Sequence, residues 1–327
     1  MSPTAINTAT SRNPATGATL ATYPFHTRDD VERILDANTA AFQLWRATPM
    51  DERVATYRRL ASTLRVRAEP LAALITSEMG KTIGAARSEV EKCASTIEWI
   101  ADHGPAVLAD EPVTVDGDDQ VYVSYLPIGS VLAVMPWNFP LWQVIRAAGP
   151  IMLTGNGFVL KHAPNVMGSA LALQEVYEAA GFPAGLFVNV NTDNDTVARM
   201  IEDPRIAAVT LTGSMRAGSA VAATAGKALK KSLLELGGAD AFIVLADANL
   251  DLAVKAGIEA RFQNAGEVCL AAKRFILEQP IAEEFTRKLI DAARQLTVGD
   301  PFDPAIAIGP MARADLRANC TARSNAR

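Results

Sequence analysis

The rhythm of apolar and polar positions changes along this chain, and each rhythm specifies a different kind of element. From Thr27 to about His103, apolar residues recur every three or four positions, the period of an amphipathic helix. Thr27 stands at the start with Asp30 three positions on, the reciprocal pair of a capping box. Breaks near Thr48-Pro49-Met50 and at Gly80 divide this region into successive helices. In the last of them Val90, Cys93, Ile97 and Ile100 share one face, which makes Cys93 a small core residue. Residues 1 to 25 follow neither period. Their turn dipeptides, Asn13-Pro14 and Thr16-Gly17, predict an irregular arm.

From about Gln120 the pattern shortens. Val121, Val123 and Tyr125 alternate with polar neighbours, as in a half-exposed strand. Short apolar runs follow at Ser130–Met135, Gly157–Lys161, Leu186–Val190, Ala207–Leu211 and Ala241–Leu245. Between the first four and after the fourth lie helical segments at about 143–153, 168–181, 194–202 and 215–226. Strand and helix alternating through short turns imply an α/β fold, a mostly parallel sheet covered on both faces. Such sheets bind ligands at the carboxyl ends of their strands. A helix over Leu250–Gln263, a strand over Arg274–Glu278 and a helix over Ile281–Leu296 complete the reading. The last ten residues have almost no apolar content and are not expected to form a packed element.

Composition narrows the class. The chain has 327 residues, 49% of them hydrophobic and 20% charged, with a formal net charge of −5. That length accommodates two domains and a core that needs no disulfide staples. The negative balance argues against a nucleic-acid or membrane-surface partner. Three widely spaced cysteines, Cys93, Cys269 and Cys320, are no disulfide framework and fit a reducing compartment. The start lacks a basic segment followed by an apolar one, so no signal peptide is read. The most apolar stretch, about 131–160, is broken by Pro136, Pro140, Arg146, Pro150 and Gly155 and does not read as a membrane span. A cytoplasmic location is expected.

Five segments carry candidate chemistry. In Phe262-Gln-Asn-Ala-Gly-Glu-Val-Cys269, a cysteine ends a glycine-containing loop. It is either an exposed nucleophile or a buried structural thiol. In Leu233-Leu-Glu-Leu-Gly-Gly238, Glu235 is either a buried acid whose raised pKa suits a general base or a cap for the next turn. In Pro136-Trp-Asn-Phe-Pro140, Asn138 is either an oxyanion donor or a residue satisfying local backbone. Leu211-Thr-Gly-Ser214 opens a helix whose N–H groups can receive a pyrophosphate, although the pattern is not GxGxxG. Lys161 follows a buried strand, where it either reaches a ribose or phosphate or snorkels to solvent. His26, His103 and His162 are scattered, with no metal-ligand spacing, and His162 reads as structural.

Together, in this order and at these spacings, the segments resemble the aldehyde dehydrogenase superfamily from Asn13 to about Arg317. They look most like the bacterial succinate-semialdehyde dehydrogenase branch, notably at His103-Gly-Pro, Lys161-His-Ala-Pro-Asn and Gly309-Pro-Met. The resemblance implies a Rossmann-type cofactor domain over 1–240, with an arm strand near 120–130 for oligomerisation. It also implies the start of an α/β catalytic domain over 241–317. Cys269 would attack the aldehyde, Asn138 and the Cys269 N–H would hold the oxyanion, and Glu235 would activate the water that hydrolyses the thioester. NAD or NADP would lie along Pro136, Trp137, Lys161, Pro164, Thr212, Gly213, Ser214 and Leu236. No metal is implied. Arg146 would grip the distal carboxylate of succinate semialdehyde. A second arginine of that branch falls where this chain has Gln263, so the clamp is half present. Pro164 stands where strictly NAD-dependent members have a glutamate, so no carboxylate repels a 2′-phosphate.

Members of the superfamily continue well beyond Arg317 and are homo-oligomeric. Residues 318–327 therefore read as an aberrant polar tail on a truncated catalytic domain. The codons for Ala318-Asn-Cys-Thr, read two bases later, can encode Glu-Leu-His, as this branch has after its Asp-Leu-Arg, so a frameshift is expected. Two functions follow: an NAD(P)-dependent aldehyde dehydrogenase, or an inactive fragment that retains only nucleotide binding.

Overall fold

The structure is a computed structural model and describes residues 8–325. Residues 1–7 of the expected arm and 326–327 of the expected tail lie outside the described residues. The rest of the arm is not irregular. Strands β1 (Thr8–Arg12) and β2 (Thr19–Pro24) pair antiparallel around the Asn13–Gly17 turn. The turn dipeptides mark the loop, but strands built of Thr, Ala and Ser carry no apolar alternation to reveal them.

Four helices follow: α1 (Arg28–Arg46), α2 (Met50–Val66), α3 (Ala68–Met79) and α4 (Ile83–Val107). The Thr27–Asp30 capping box forms as expected. The break between α2 and α3 at Arg67 was not anticipated; its signal is Pro70, whose ring would meet the Val66 carbonyl in a continuous helix. Gly80 ends α3 at φ +83°, and a Cβ there would lie 2.8 Å from the Pro310 carbonyl oxygen. Cys93 is fully buried, as its helical face requires. Strands β3 (Glu111–Val113) and β4 (Val121–Val123) then form an exposed antiparallel ribbon. β3 was not anticipated.

The central sheet uses β5 (Ser130–Met135), β6 (Gly157–His162), β7 (Phe187–Asn189), β8 (Ile206–Gly213) and β9 (Lys231–Leu236). Its order is β7-β6-β5-β8-β9, and every pair is parallel. The connecting helices are α5 (Trp142–Leu153), α6 (Met167–Ala179), α7 (Asn194–Glu202) and α8 (Met215–Lys227). Strand periodicity divides the buried residues between two cores. Ala133, Met135, Phe158 and Leu160 face the α2–α6 side, while Leu132, Val159, Val209 and Leu211 face α1, α7 and α8. The sheet is therefore a Rossmann-type layer buried on both faces, with β9 an open edge that apolar-run reading missed.

A second, smaller layer holds β10 (Ala241–Val244), α9 (Leu250–Phe262), β11 (Arg274–Leu277) and α10 (Gln279–Arg294), with β10 and β11 parallel. The apolar run at Ala241–Leu245 stands outside the central sheet, its strand pairing with β11 around a separate cluster of Val244, Val254, Ile281 and Phe285. The end of the chain takes regular structure without packing, its described residues 318–321 all being exposed. Residues Ala314–Asn325 form a helix, α11. Alanine and arginine favour helix without an apolar face, so low hydrophobicity did not exclude one. Among the described residues no helix is long and apolar enough to cross a membrane.

Leu132 is fully buried in the middle of the sheet. Leu132→Ala is expected to lower stability by about 2–5 kcal/mol through lost burial and a cavity. Chemical denaturation checks this; an unchanged midpoint would mean that this strand is not a packed core element.

Candidate active site

The chain runs from β5 outward to β6 and β7, then returns to place β8 on the other side of β5. The connections leaving β5 and β8 depart in opposite directions, which opens a crevice at the carboxyl ends of the two strands. Pro136, Trp137 and Asn138 leave β5 there, and Thr212, Gly213 and Ser214 end β8. All six line one cavity of about 550 Å³, together with Glu235, Leu236, Glu267, Cys269 and Lys273. Leu316, Asn319 and Cys320 of α11 border the same space.

The turn bearing Asn138 is fixed from behind. Glu89 on α4 accepts the N–H groups of Leu141 and Trp142, each at 2.9 Å. These are orphan donors at the start of α5, which has no capping side chain of its own. Lys81 pairs with the same carboxylate, and both side chains are 1% exposed. The Lys81 ammonium also sits 3.7 Å from the Phe139 ring centroid. His162 completes the support. Ala163 N–H donates to its Nδ1 at 2.9 Å, and its Nε2 donates to the Pro140 carbonyl at 2.8 Å. Burial pulls its pKa down to about 4, so it is a neutral structural residue.

The cysteine loop is clasped onto this turn. The Asn138 amide donates to the Glu267 carbonyl at 2.9 Å, and the Asn264 amide donates to the Asn138 carbonyl at 2.9 Å. Asn264 and Ala265 hold φ values of +52° and +54°, left-handed conformations that ordinary residues avoid. Gly266 follows at +76°. This tight reversal brings Cys269, half-buried, into the cavity with Asn138 and Glu235. Lys273 folds back and donates to the Val268 and Cys269 carbonyls.

Comparison with known proteins fits this geometry. The model of the aldehyde dehydrogenase family matches residues 1–325. The chain belongs to the aldehyde dehydrogenase family. It is 53% identical over 317 residues to the NAD(P)+ succinate semialdehyde dehydrogenase Sad of Escherichia coli, covering 97% of this chain and 68% of that protein. It is 46% identical to a probable NADP+ succinate-semialdehyde dehydrogenase of Synechocystis, covering 95% of this chain and 68% of the relative. The solved succinic semialdehyde dehydrogenase of Streptococcus pyogenes, in complex with NADP+, superposes with a TM-score of 0.94 at 35% identity. That match covers 97% of this chain and 70% of that one. Both the family and the α/β fold expected from the sequence motifs are thereby established.

Glu235 departs from expectation. A buried acid was anticipated, but its side chain is 48% exposed and forms an ion pair with Arg146 at 3.5 Å. The reason is strand parity. Leu236 packs against Gly218 of α8, and Leu234 joins the same core, which turns Leu233 and Glu235 to the opposite face. That face is bare, with Leu233 62% exposed. Arg146 also donates to Gln143 Oε1 at 3.2 Å and Thr212 Oγ1 at 3.3 Å. Its guanidinium is therefore engaged beside the site.

Several further features lie around β6, β8 and α8. A slot of about 220 Å³ between α7 and α8 is lined by Val134, Val197, Ile201, Leu211 and Val221, with Asn194, Arg216 and Thr224 as its polar members. Ser214 caps α8, accepting the Ala217 N–H at 3.2 Å, and leaves the first-turn N–H groups directed outward. A Cβ on Gly218 would lie 2.7 Å from Leu236 Cδ2, so any larger residue there would make Leu236 shift. Lys161, paired in register with Val134, is largely desolvated, which lowers its pKa, while nearby Asp193 favours its charge. Pro164 is exposed after β6 and begins a short 3-10 turn.

Sequence reading missed Lys81, Glu89, Asn264 and Glu267. The first three are recognisable only once tertiary contacts are known. Glu267 sits beside Cys269 in sequence, and its burial is the informative feature. Desolvation drives its pKa up to about 7, against a backbone bond from Ala312 at 3.3 Å and the attraction of Lys81. A carboxyl pKa raised on folding means that stability falls as pH climbs from the usual 4.5 towards 7. Glu267→Gln removes that ionisation. Thermal melts should show the variant gaining on the parent chain at pH 8 relative to pH 5, and a difference independent of pH would contradict the assignment.

Proposed function

We propose that this chain carries the thiol chemistry of an NAD(P)-dependent aldehyde dehydrogenase, with succinate semialdehyde as its substrate. The convergence of Cys269, Asn138 and Glu235 on one cavity at the β5–β8 crevice carries this reading. The sulfur of Cys269 bonds to the aldehyde carbon, and the displaced electron pair moves onto oxygen, where the Asn138 amide and the Cys269 N–H stabilise it. When bound, the nicotinamide cofactor supplies the two-electron acceptor that takes the tetrahedral carbon to a thioester. Glu235 then removes a proton from water, whose oxygen attacks the thioester carbon; the C–S bond breaks and the acid leaves.

Lys161, Thr212, Gly213, Ser214 and Leu236 are the residues proposed to hold the cofactor, with Pro136, Trp137 and Pro164 beside them. The absence of a carboxylate at Pro164 supports acceptance of NADP as well as NAD. The substrate assignment is supported by the named activities of the similar proteins and by Arg146, ion-paired with the cavity residue Glu235, where a distal carboxylate would compete with Glu235 for the guanidinium.

A second reading, nucleotide binding without turnover, is favoured by one observation. Glu235 is exposed and ion-paired, not sequestered over the thiol. The two are separated by incubating the protein with succinate semialdehyde and each cofactor, and following reduced cofactor and acid together. Turnover that disappears in Cys269→Ala supports the dehydrogenase. Cofactor binding by calorimetry without any burst of reduced cofactor supports the fragment.

Under the first reading, Asn138→Ala should lower kcat by about 10²–10³-fold, the usual loss of one oxyanion donor. Arg146→Ala should raise KM for succinate semialdehyde while sparing uncharged aliphatic aldehydes. Equal losses for both substrate types would reject the gripping role. Pro164→Glu should weaken NADP+ binding by at least about tenfold, a 1.4 kcal/mol effect, and leave NAD+ nearly unaffected. Calorimetric titration of the two cofactors checks this.

A further inference from the structure

Glu267 belongs to two cavities at once. On one side it borders the space shared by Cys269, Asn138 and Glu235. On the other it borders a separate cavity of about 260 Å³ lined by Lys81, Thr82, Glu259, Phe262, Gln263 and Ile308, among others. Its Oε2 accepts the Ala312 N–H at 3.3 Å, whereas Oε1 is buried and accepts no hydrogen bond from the described residues. An orphan carboxyl oxygen of this kind is costly unless it binds a proton or a water. Glu267 lies two residues before Cys269 and its carbonyl holds the Asn138 amide, so it moves with the nucleophile and its oxyanion donor.

The charges around it are few. From the α3–α4 connection Lys81 faces it, pinned by Glu89. From α9, Glu259 lines the smaller cavity, and Arg261 reaches the Gly266 carbonyl at 3.5 Å. Across the larger cavity are Cys269, Glu235, Lys273 and Cys320. After Ala312, Arg313 and Asp315 pair with each other.

We infer that Glu267 is a proton relay for the thiol: it accepts the Cys269 proton through water in the larger cavity as sulfur attacks, and releases it into the smaller cavity beside Lys81. The S–H bond breaks and its electron pair stays on sulfur to form the S–C bond. An O–H bond forms on the Glu267 carboxylate, and a second transfer to water in the smaller cavity restores the carboxylate. No oxidant or reductant takes part. This role rests on Cys269 being the nucleophile, as proposed above. A carboxyl poised near neutrality can both take and give up a proton at working pH.

The test is the acylation burst of the whole chain with p-nitrophenyl acetate, which requires the thiol but no nicotinamide. A missing dehydrogenase activity therefore leaves it interpretable, and loss of the burst in Cys269→Ala verifies the nucleophile separately. In the parent chain the burst rate should rise with an inflection near pH 7 and slow in D₂O. In Glu267→Gln the inflection should move towards the ordinary thiol value of ~8.5, the D₂O effect should vanish, and the rate at pH 7 should fall by about 10²-fold. The same inflection and the same D₂O effect in both proteins would overturn the relay. Should Glu267→Gln fail to fold, Gln263→Arg provides the second arm. A cation facing Glu267 across the smaller cavity should move the parent inflection to lower pH, and an unmoved inflection overturns the proposal equally.

Discussion

A parallel sheet whose strand order reverses between β5 and β8 must leave its connections diverging at that point, and Asn138, Ser214, Glu235 and Cys269 all border the resulting gap. The constraint is geometric before it is chemical. Strands buried on both faces cannot end in solvent-seeking loops of arbitrary direction, because each is followed by a helix that must pack back onto the sheet. Asn138 and Ser214 therefore emerge at the same end, in neighbouring strand exits, although 76 positions separate them in sequence.

A crevice alone would not hold Cys269. The cysteine loop comes from the other layer, and two asparagine side chains fasten it: Asn138 donates to the Glu267 carbonyl and Asn264 to the Asn138 carbonyl. Left-handed backbone at Asn264 and Ala265 carries a steric cost that these bonds offset. Behind the turn, Lys81 and Glu89 form a buried pair whose carboxylate also caps α5. Buried charges of this sort contribute less to stability than their contacts suggest, because desolvation opposes them. What they supply is position: the Asn138 turn cannot shift without uncovering an ion pair. The cavity bearing the thiol thus lies against a wall of fixed charges, with Glu267 the member of that wall whose pKa burial raises to about 7.

The sequence was most legible where one periodicity decides one face. The Thr27–Asp30 cap, the burial of Cys93, and the elements β5, α5, β6, α7 and α8 all follow from local pattern. It was least legible where edges and weak strands are concerned. β1 and β2 lack apolar alternation, β9 was hidden in an apolar run, and α11 forms without a hydrophobic face. Glu235 illustrates the limit most directly. An acid among leucines reads as buried, but alternation along β9 sends Leu234 and Leu236 to the core and Glu235 to the bare side.

By itself the sequence determined the family, the alternating α/β plan and the identities of the thiol, amide and acid that meet in the cavity. Those are properties of short motifs, in which backbone chemistry and residue type suffice. The tertiary structure alone decided the partners: that Arg146 engages Glu235, that Glu89 caps α5 while holding Lys81, and that Glu267 stands between two cavities. Each joins residues from elements distant in the chain, and burial, which sets the charge state of Glu267, is a property of the packed whole.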